Sequence, residues 1–202
     1  MNDAPSPQRF LASLTLLAAL LMAGCSSVPL DGRHTASMGA SLDAAPRQSA
    51  PAHPSLTLAE RTFMSQAVSR AMYEQQVSRL AVERAMDARV RSYAKMLAAH
   101  STRIDNELGA MMKAKGVPRP AGLAADKATK LHRLSALRPS PDFDLGYARV
   151  VGIEDQQATI AVYERARRYA TDRELKAWID KTLLALRDQL ALAQALVGHL
   201  AG

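Results

Sequence analysis

DARVRSYAKMLAAHSTRIDNELGAMMKAKGVPRP, residues 87–120, is the stretch whose reading decides the fold. Val90, Tyr93, Leu97, His100, Ile104, Leu108 and Met111 recur at steps of three and four, which stacks them along one stripe of an α-helix. Asp87, just ahead of that stripe, is suited to an N-cap, where a short carboxylate accepts N–H groups of the first turn. Gly116 predicts the stop, and Pro118 and Pro120 prevent the helix from resuming. The helix should therefore run from the Asp87 cap to Lys115.

The same period extends in both directions. Upstream, Phe63, Ala67, Ala71, Glu74, Val77 and Ala81 predict a helix over Leu56–Met86. Downstream, a short amphipathic piece, Ala124–Leu137, ends before Pro139 and Pro141. Ser140 or Asp142 can cap a third long helix carrying Phe143, Tyr147, Val150, Val151, Ile160 and Val162. A new cap at Thr171-Asp172 opens a fourth, with Leu175, Trp178, Ile179, Leu183, Leu186, Leu190 and Leu196. The composition agrees. Apolar residues make up 48% of the chain but aromatics only 4%, so Ala, Leu and Met supply the core, and Ala and Leu are strong helix formers. Four long helices, with a short extra helix in the crossover between the second and third, predict an all-α four-helix bundle. The Pro and Gly breaks argue against one long coiled coil.

The chain divides into three parts: a leader over 1–24, a tether over 25–55 and the helical domain over 56–200. Arg9 precedes an apolar run from Phe10 to Met22, which closes with Ala23-Gly24-Cys25. The run suits the core of a signal peptide and is too short to span a bilayer comfortably. Small residues followed by the only cysteine resemble the bacterial lipobox, and that resemblance implies cleavage before Cys25 and its lipidation. Met22 stands where leucine is commonest, and Asp3 offsets the leader's basic charge. Ser26, by resemblance to Gram-negative lipoproteins, implies sorting to the periplasmic side of the outer membrane. From Ser26 to Ser55 the chain is rich in Ser, Pro, Ala and Gly and has no apolar period, which reads as a linker that includes His34 and His53. A single cysteine excludes an internal disulfide and a cysteine-based metal site.

Charge and motifs narrow the function further. The net charge is +7, but the arginines are scattered rather than interleaved with stacking aromatics, which argues against nucleic acid. Most of the arginines read as a solvated helix face; Arg165, Arg167 and Arg168 form the densest basic cluster, for which an anionic envelope surface or another envelope protein fits better as partner than DNA. No Gly-x-Ser-x-Gly, Walker loop or dinucleotide fingerprint occurs, so the expectation is a protein that is not an enzyme.

Two stripe positions are polar. Glu74 and His100 both face the expected core, and a buried carboxylate needs a partner. One reading pairs the two with each other or with an arginine. The other takes Glu74, His100 and Asp155, one from each of three helices, as ligands for Fe, Mn or Zn. A full two-metal bundle site would also carry Glu-x-x-His pairs, and the sequence has none. Structure is expected to separate these readings. The preferred expectation is no cofactor, in a binding or stress-related accessory; the alternative is a metal-binding module with weak redox or storage activity.

The run Phe63…Tyr73-Glu74…Leu80-Ala81, then Tyr93-Ala94-Lys95-Met96…His100, then Phe143-Asp144…Tyr147, and the closing Leu183…Leu186…Leu190…Ala193-Gln194…Leu196 resembles a ferritin-like family of bacterial exported proteins, domain of unknown function 4142, often labelled as outer membrane proteins. The resemblance spans about Leu58 to Val197 and implies a ferritin-like bundle, with Phe143, Asp144 and Tyr147 as its family pattern. Members commonly carry histidine where this chain has Asp155, and Pro and His where it has Leu184 and Gln189. These departures halve the nitrogen ligands that a family metal site would offer.

Overall fold

A computed structural model describes residues 55–202. The expected leader, Cys25 and the tether through residue 54, with His34 and His53, lie outside the described residues. The first helix, α1 (Leu58–Arg84), opens on a capping box. The Thr57 hydroxyl accepts the Glu60 N–H at 3.2 Å, while the Glu60 carboxylate accepts the Thr57 N–H at 2.7 Å, so two otherwise orphaned donors are satisfied. The helix starts two residues later than Leu56 because Thr57 takes the cap. It stops two residues short of Met86 because the Asp144 carboxylate takes the N–H groups of Met86 and Asp87, at 3.0 and 2.6 Å.

Asp87 then caps α2 (Ala88–Ala114) through the N–H groups of Arg89 and Val90. The C-terminus closes as sequence predicts: Gly116 adopts φ 66°. The Gly116 N–H reaches Lys113 O at 3.3 Å and the Val117 N–H reaches Met112 O at 2.8 Å, the paired bonds of a Schellman motif. After it come α3 (Ala125–Ser135), α4 (Pro141–Tyr147), α5 (Gln156–Tyr169) and α6 (Arg173–Leu200). Ser140 caps α4, with proline in the first turn, and Asp172 caps α6 through the Leu175 N–H.

Between α4 and α5 the chain does not leave the helix. Residues Ala148–Asp155 form a π-helical stretch, so α4, this stretch and α5 make one long third helix. Periodicity alone did not predict the wider turn. It shifts the inward stripe by one residue, from Phe143, Tyr147 and Val151 to Gln156, Ile160 and Tyr163. Asp155 and Gln156, sequence neighbours, are thereby both buried. Gly152 lies within this stretch, and a Cβ there would come 2.9 Å from the Ala193 side chain, so its small size lets the third helix close on α6.

Two apolar clusters fill the bundle. One joins the first half of α1, the second half of α2, α5 and the first half of α6. The other joins the remaining halves with α4 and the π stretch. Helices α1 and α6 thus run one way, and α2 and the third helix the other. Because α2 and the third helix are parallel, residues 115–140 must return along the bundle's length, and α3 lies on α1 as they do so. One long crossover in a four-helix bundle is the ferritin-like arrangement. Both clusters and every cap fall between Leu56 and Ala201, so the compact unit Ser49–Gly202 carries its own core.

Candidate functional site

The two apolar clusters are separated by a polar layer at the midpoint of the long helices. From α1 it receives Tyr73 and Glu74, from α2 His100 and Ser101, from the third helix Asp155 and Gln156, and from α6 Gln189. The crossover contributes Lys127 and Lys130 of α3.

The layer has two connected halves. In the first, Gln156 Nε2 donates to Glu74 Oε1 at 2.6 Å and reaches Gln189 Oε1 at 3.4 Å. Gln189 Nε2 in turn meets His100 Nδ1, so Glu74 and His100 stand at opposite ends of a chain of two glutamines. They neither touch each other nor engage an arginine, which corrects the pairing expected from sequence: the glutamines intervene because the π turn brings Gln156 inward. The Ser101 hydroxyl stands 2.5 Å from Glu74 Oε2 and 2.9 Å from Leu97 O. A hydroxyl has one hydrogen, so both contacts are satisfied only when Glu74 carries a proton. Burial pushes its carboxyl up to about 7, with the neighbouring Asp155 charge adding to the rise and the Ser101 bond and Lys127 opposing it. His100 is driven the other way, toward its neutral form, chiefly by burial, against the Gln189 bond. Among the described residues Gln156 Oε1 is a buried acceptor without a partner.

In the second half, Asp155 is gripped from three sides. Lys127 and Lys130 stand 3.2 and 2.6 Å from Oδ1, and the Tyr73 hydroxyl donates to Oδ2 at 3.0 Å. Lys127 Nζ also lies 4.9 Å from the centre of the Tyr73 ring, within range of a cation–π contact. Burial and the Asp155 charge raise the Tyr73 phenol well above its ordinary value. Where Glu74 remains accessible it lines a cavity of about 20 Å³ shared with Arg70, Lys127, Asp155, Thr159 and Tyr163. That volume holds about one water molecule.

Glu74, His100 and Asp155 therefore share a layer without converging as a ligand set. Among the described residues no group of three or more His, Cys, Asp or Glu side chains is placed to hold a metal ion. Two ammonium groups on one Asp155 oxygen occupy the position a cation would need, and the acceptors of Glu74 are engaged by Ser101 and Gln156, so the donor set does not fit a metal. Sequence reasoning missed Lys127, Ser101 and Gln156. The lysine sits on a short helix whose polar face reads as solvated, and the inward turn of Gln156 depends on the π stretch.

Phe143, Asp144 and Tyr147 lie at the start of the third helix. Phe143 is core, Asp144 holds the α1–α2 turn as above, and Tyr147 shares a 2.9 Å hydrogen bond with Ser78. These positions hold three helices in register.

The structure is similar to the crystal structure of a DUF305 fragment from Deinococcus radiodurans, at 17% identity and TM-score 0.64, over 72% of this chain and 99% of that one. At that identity the likeness shows the fold. No curated protein is similar enough to count as a match. The family described as Domain of unknown function (DUF4142) matches residues 45–196, which include all four long helices nearly to their end, and the chain belongs to that family.

Proposed function

We propose that the protein is an exported bundle of the bacterial envelope, lipid-anchored through Cys25 on the periplasmic side of the outer membrane. It acts there as a non-catalytic binding or stress-related accessory. The observation that carries the non-catalytic reading is the closure of the polar layer. Its carboxylates, lysines, histidine and amides, Gln156 Oε1 excepted, are spent on one another around a space of about 20 Å³, which leaves no room for an organic substrate beside them. A bundle closed in this way works through its surface. Among the described residues no helix is long and apolar enough to cross a membrane, so attachment would come from Cys25, and several acyl chains would make it stable.

The test is fractionation of the full chain expressed in a Gram-negative host, beside Cys25→Ala, with the metal content of the purified chain read by elemental mass spectrometry. The expected result is wild type in the outer membrane fraction, the variant released, and metal far below one equivalent. A wild type that is as soluble as the variant would remove the anchor. Near-stoichiometric metal would remove the non-catalytic reading.

A further inference from the structure

At the end of the bundle where the described chain begins, α1 and α5 lie side by side. Between them runs a groove of about 510 Å³, with Phe63 on its floor and Leu58, Val162, Arg165 and Tyr169 along its edges. Leu58 is 81% exposed, the most exposed large apolar side chain among the described residues, and Tyr169 is 37% exposed. Leu58 is the first residue of α1. The chain that leads back to Cys25 thus leaves the bundle beside this groove.

The charge around it that lacks an ion-pair partner has one sign. Arg61, Arg165 and Arg168 are exposed, and among the described residues none of them is in an ion pair. The acids at the start of α1, in α5 and in the first half of α6 are engaged. Glu60 is fully buried and accepts the N–H groups of Thr57, Thr171 and Asp172. Asp172 and Glu174 share Lys115, Asp180 holds Arg167, and Glu164 holds Arg187.

Exposed apolar side chains among unpaired guanidinium groups, with no free carboxylate beside them, match an anionic lipid surface. Leucine and tyrosine enter the headgroup boundary while arginines bind phosphates. We infer that the α1–α5 face is a docking surface for anionic lipid, seating this end of the bundle on the membrane. The inference rests on the reading of a membrane-attached chain. Attachment at Cys25, on the same chain as this face, would raise its effective concentration over the lipid. A second copy of the chain does not fit, because two such faces would set arginine against arginine.

The compact unit Ser49–Gly202 tests this without the anchor. It is mixed with phosphatidylethanolamine vesicles, with and without phosphatidylglycerol, and the bound fraction is read by sedimentation. The expected result is binding to the phosphatidylglycerol vesicles alone, and its loss at high salt. Arg165→Ala with Arg168→Ala should weaken binding by about 25-fold, roughly fivefold per arginine. Leu58→Ser should weaken it at unchanged charge, and Leu58 is exposed enough for the fold to tolerate the change. Three outcomes overturn the inference: no binding to either vesicle, equal binding to both, or sensitivity to the arginines with none to Leu58→Ser, as a plain polyanion site would show. The unit lacks Cys25, so a failure here leaves the anchor standing, and a soluble full chain in the fractionation leaves this result standing.

Discussion

Glu74 is the residue at which the fold's stability meets pH. Its carboxyl is pushed from an ordinary value near 4.5 up to about 7, so between those values the folded chain holds a proton that the unfolded chain has released. Raising the pH through that window favours the unfolded state. The stability contributed by the protonated carboxyl is complete below about 4.5 and lost by about 7, and is at most on the order of 3 kcal/mol at about 1.4 kcal/mol per pH unit. Glu60 behaves in the opposite sense. Burial alone would raise its carboxyl, but the N–H groups of Asp172, Thr57 and Thr171 and the Thr57 hydroxyl outweigh that and hold it at about 2, so its contribution is lost as pH falls from about 4.5 to 2. Glu74→Gln copies the protonated carboxyl, since its amide can donate to Ser101. The variant should lose the decline between pH 4.5 and 7 and be more stable than wild type at pH 8, by urea denaturation followed by circular dichroism. An unchanged decline in the variant would place the proton on another group.

At the scale of the element, the helix ends were legible because each rests on a residue type with one local job. Asp87, Ser140 and Asp172 cap, and Gly116 terminates. Gly116 offers a clean measurement of such a job. Its φ is 66°, and a Cβ added there would meet nothing within 4 Å, so replacing it changes backbone conformation without a clash. Gly116→Ala should destabilise the bundle by about 1 kcal/mol, and Gly116→Asn by less, because asparagine tolerates the left-handed region better. Thermal and urea unfolding would read the difference, and equal costs for the two variants would argue that the Schellman bonds survive some other way. The π stretch was not legible. A stripe spaced by three and four looks the same whether one extra residue is absorbed at Ala148–Asp155 or the helix drifts slightly, and the choice is settled by packing, where Gly152 lets the third helix close on α6. The candidate site depended on that choice. Glu74 and His100 were legible as misplaced polar residues, but their partners were not, since Gln156 turns inward only once the wider turn is made.

For the whole molecule the question is what holds the crossover to the bundle. Residues 115–140 travel the length of the fold with one short helix, and α3 contributes only Leu134 to the fully buried core. Hydrogen bonds supplement it: Ala124 N–H to Ser69 Oγ at 3.1 Å, and Arg84 to the carbonyls of Ser135 and Leu137 at 2.5 and 2.6 Å. The principal tie is Lys127, whose side chain is 8% exposed against an Asp155 side chain at 9%. Ion pairs this deep are expensive to break from one side, because the survivor is left as an uncompensated charge. Asp155→Ala should therefore cost about 3–5 kcal/mol and release α3, seen as faster native-state hydrogen exchange over Ala125–Ser135 than over α1 or α2. Lys127→Met in the Asp155→Ala background removes the stranded ammonium and should recover a large part of that loss. If the two substitutions simply add, the pair is not coupled, and Leu134 with the Arg84 bonds holds the crossover. If the double variant recovers stability while α3 still exchanges quickly, the ion pair sets the position of the crossover rather than its strength. That outcome fits a layer in which an apolar pair of similar size could replace the charges at little cost in free energy, but could not reproduce the register that Asp155 imposes on α1, α3 and the third helix at once.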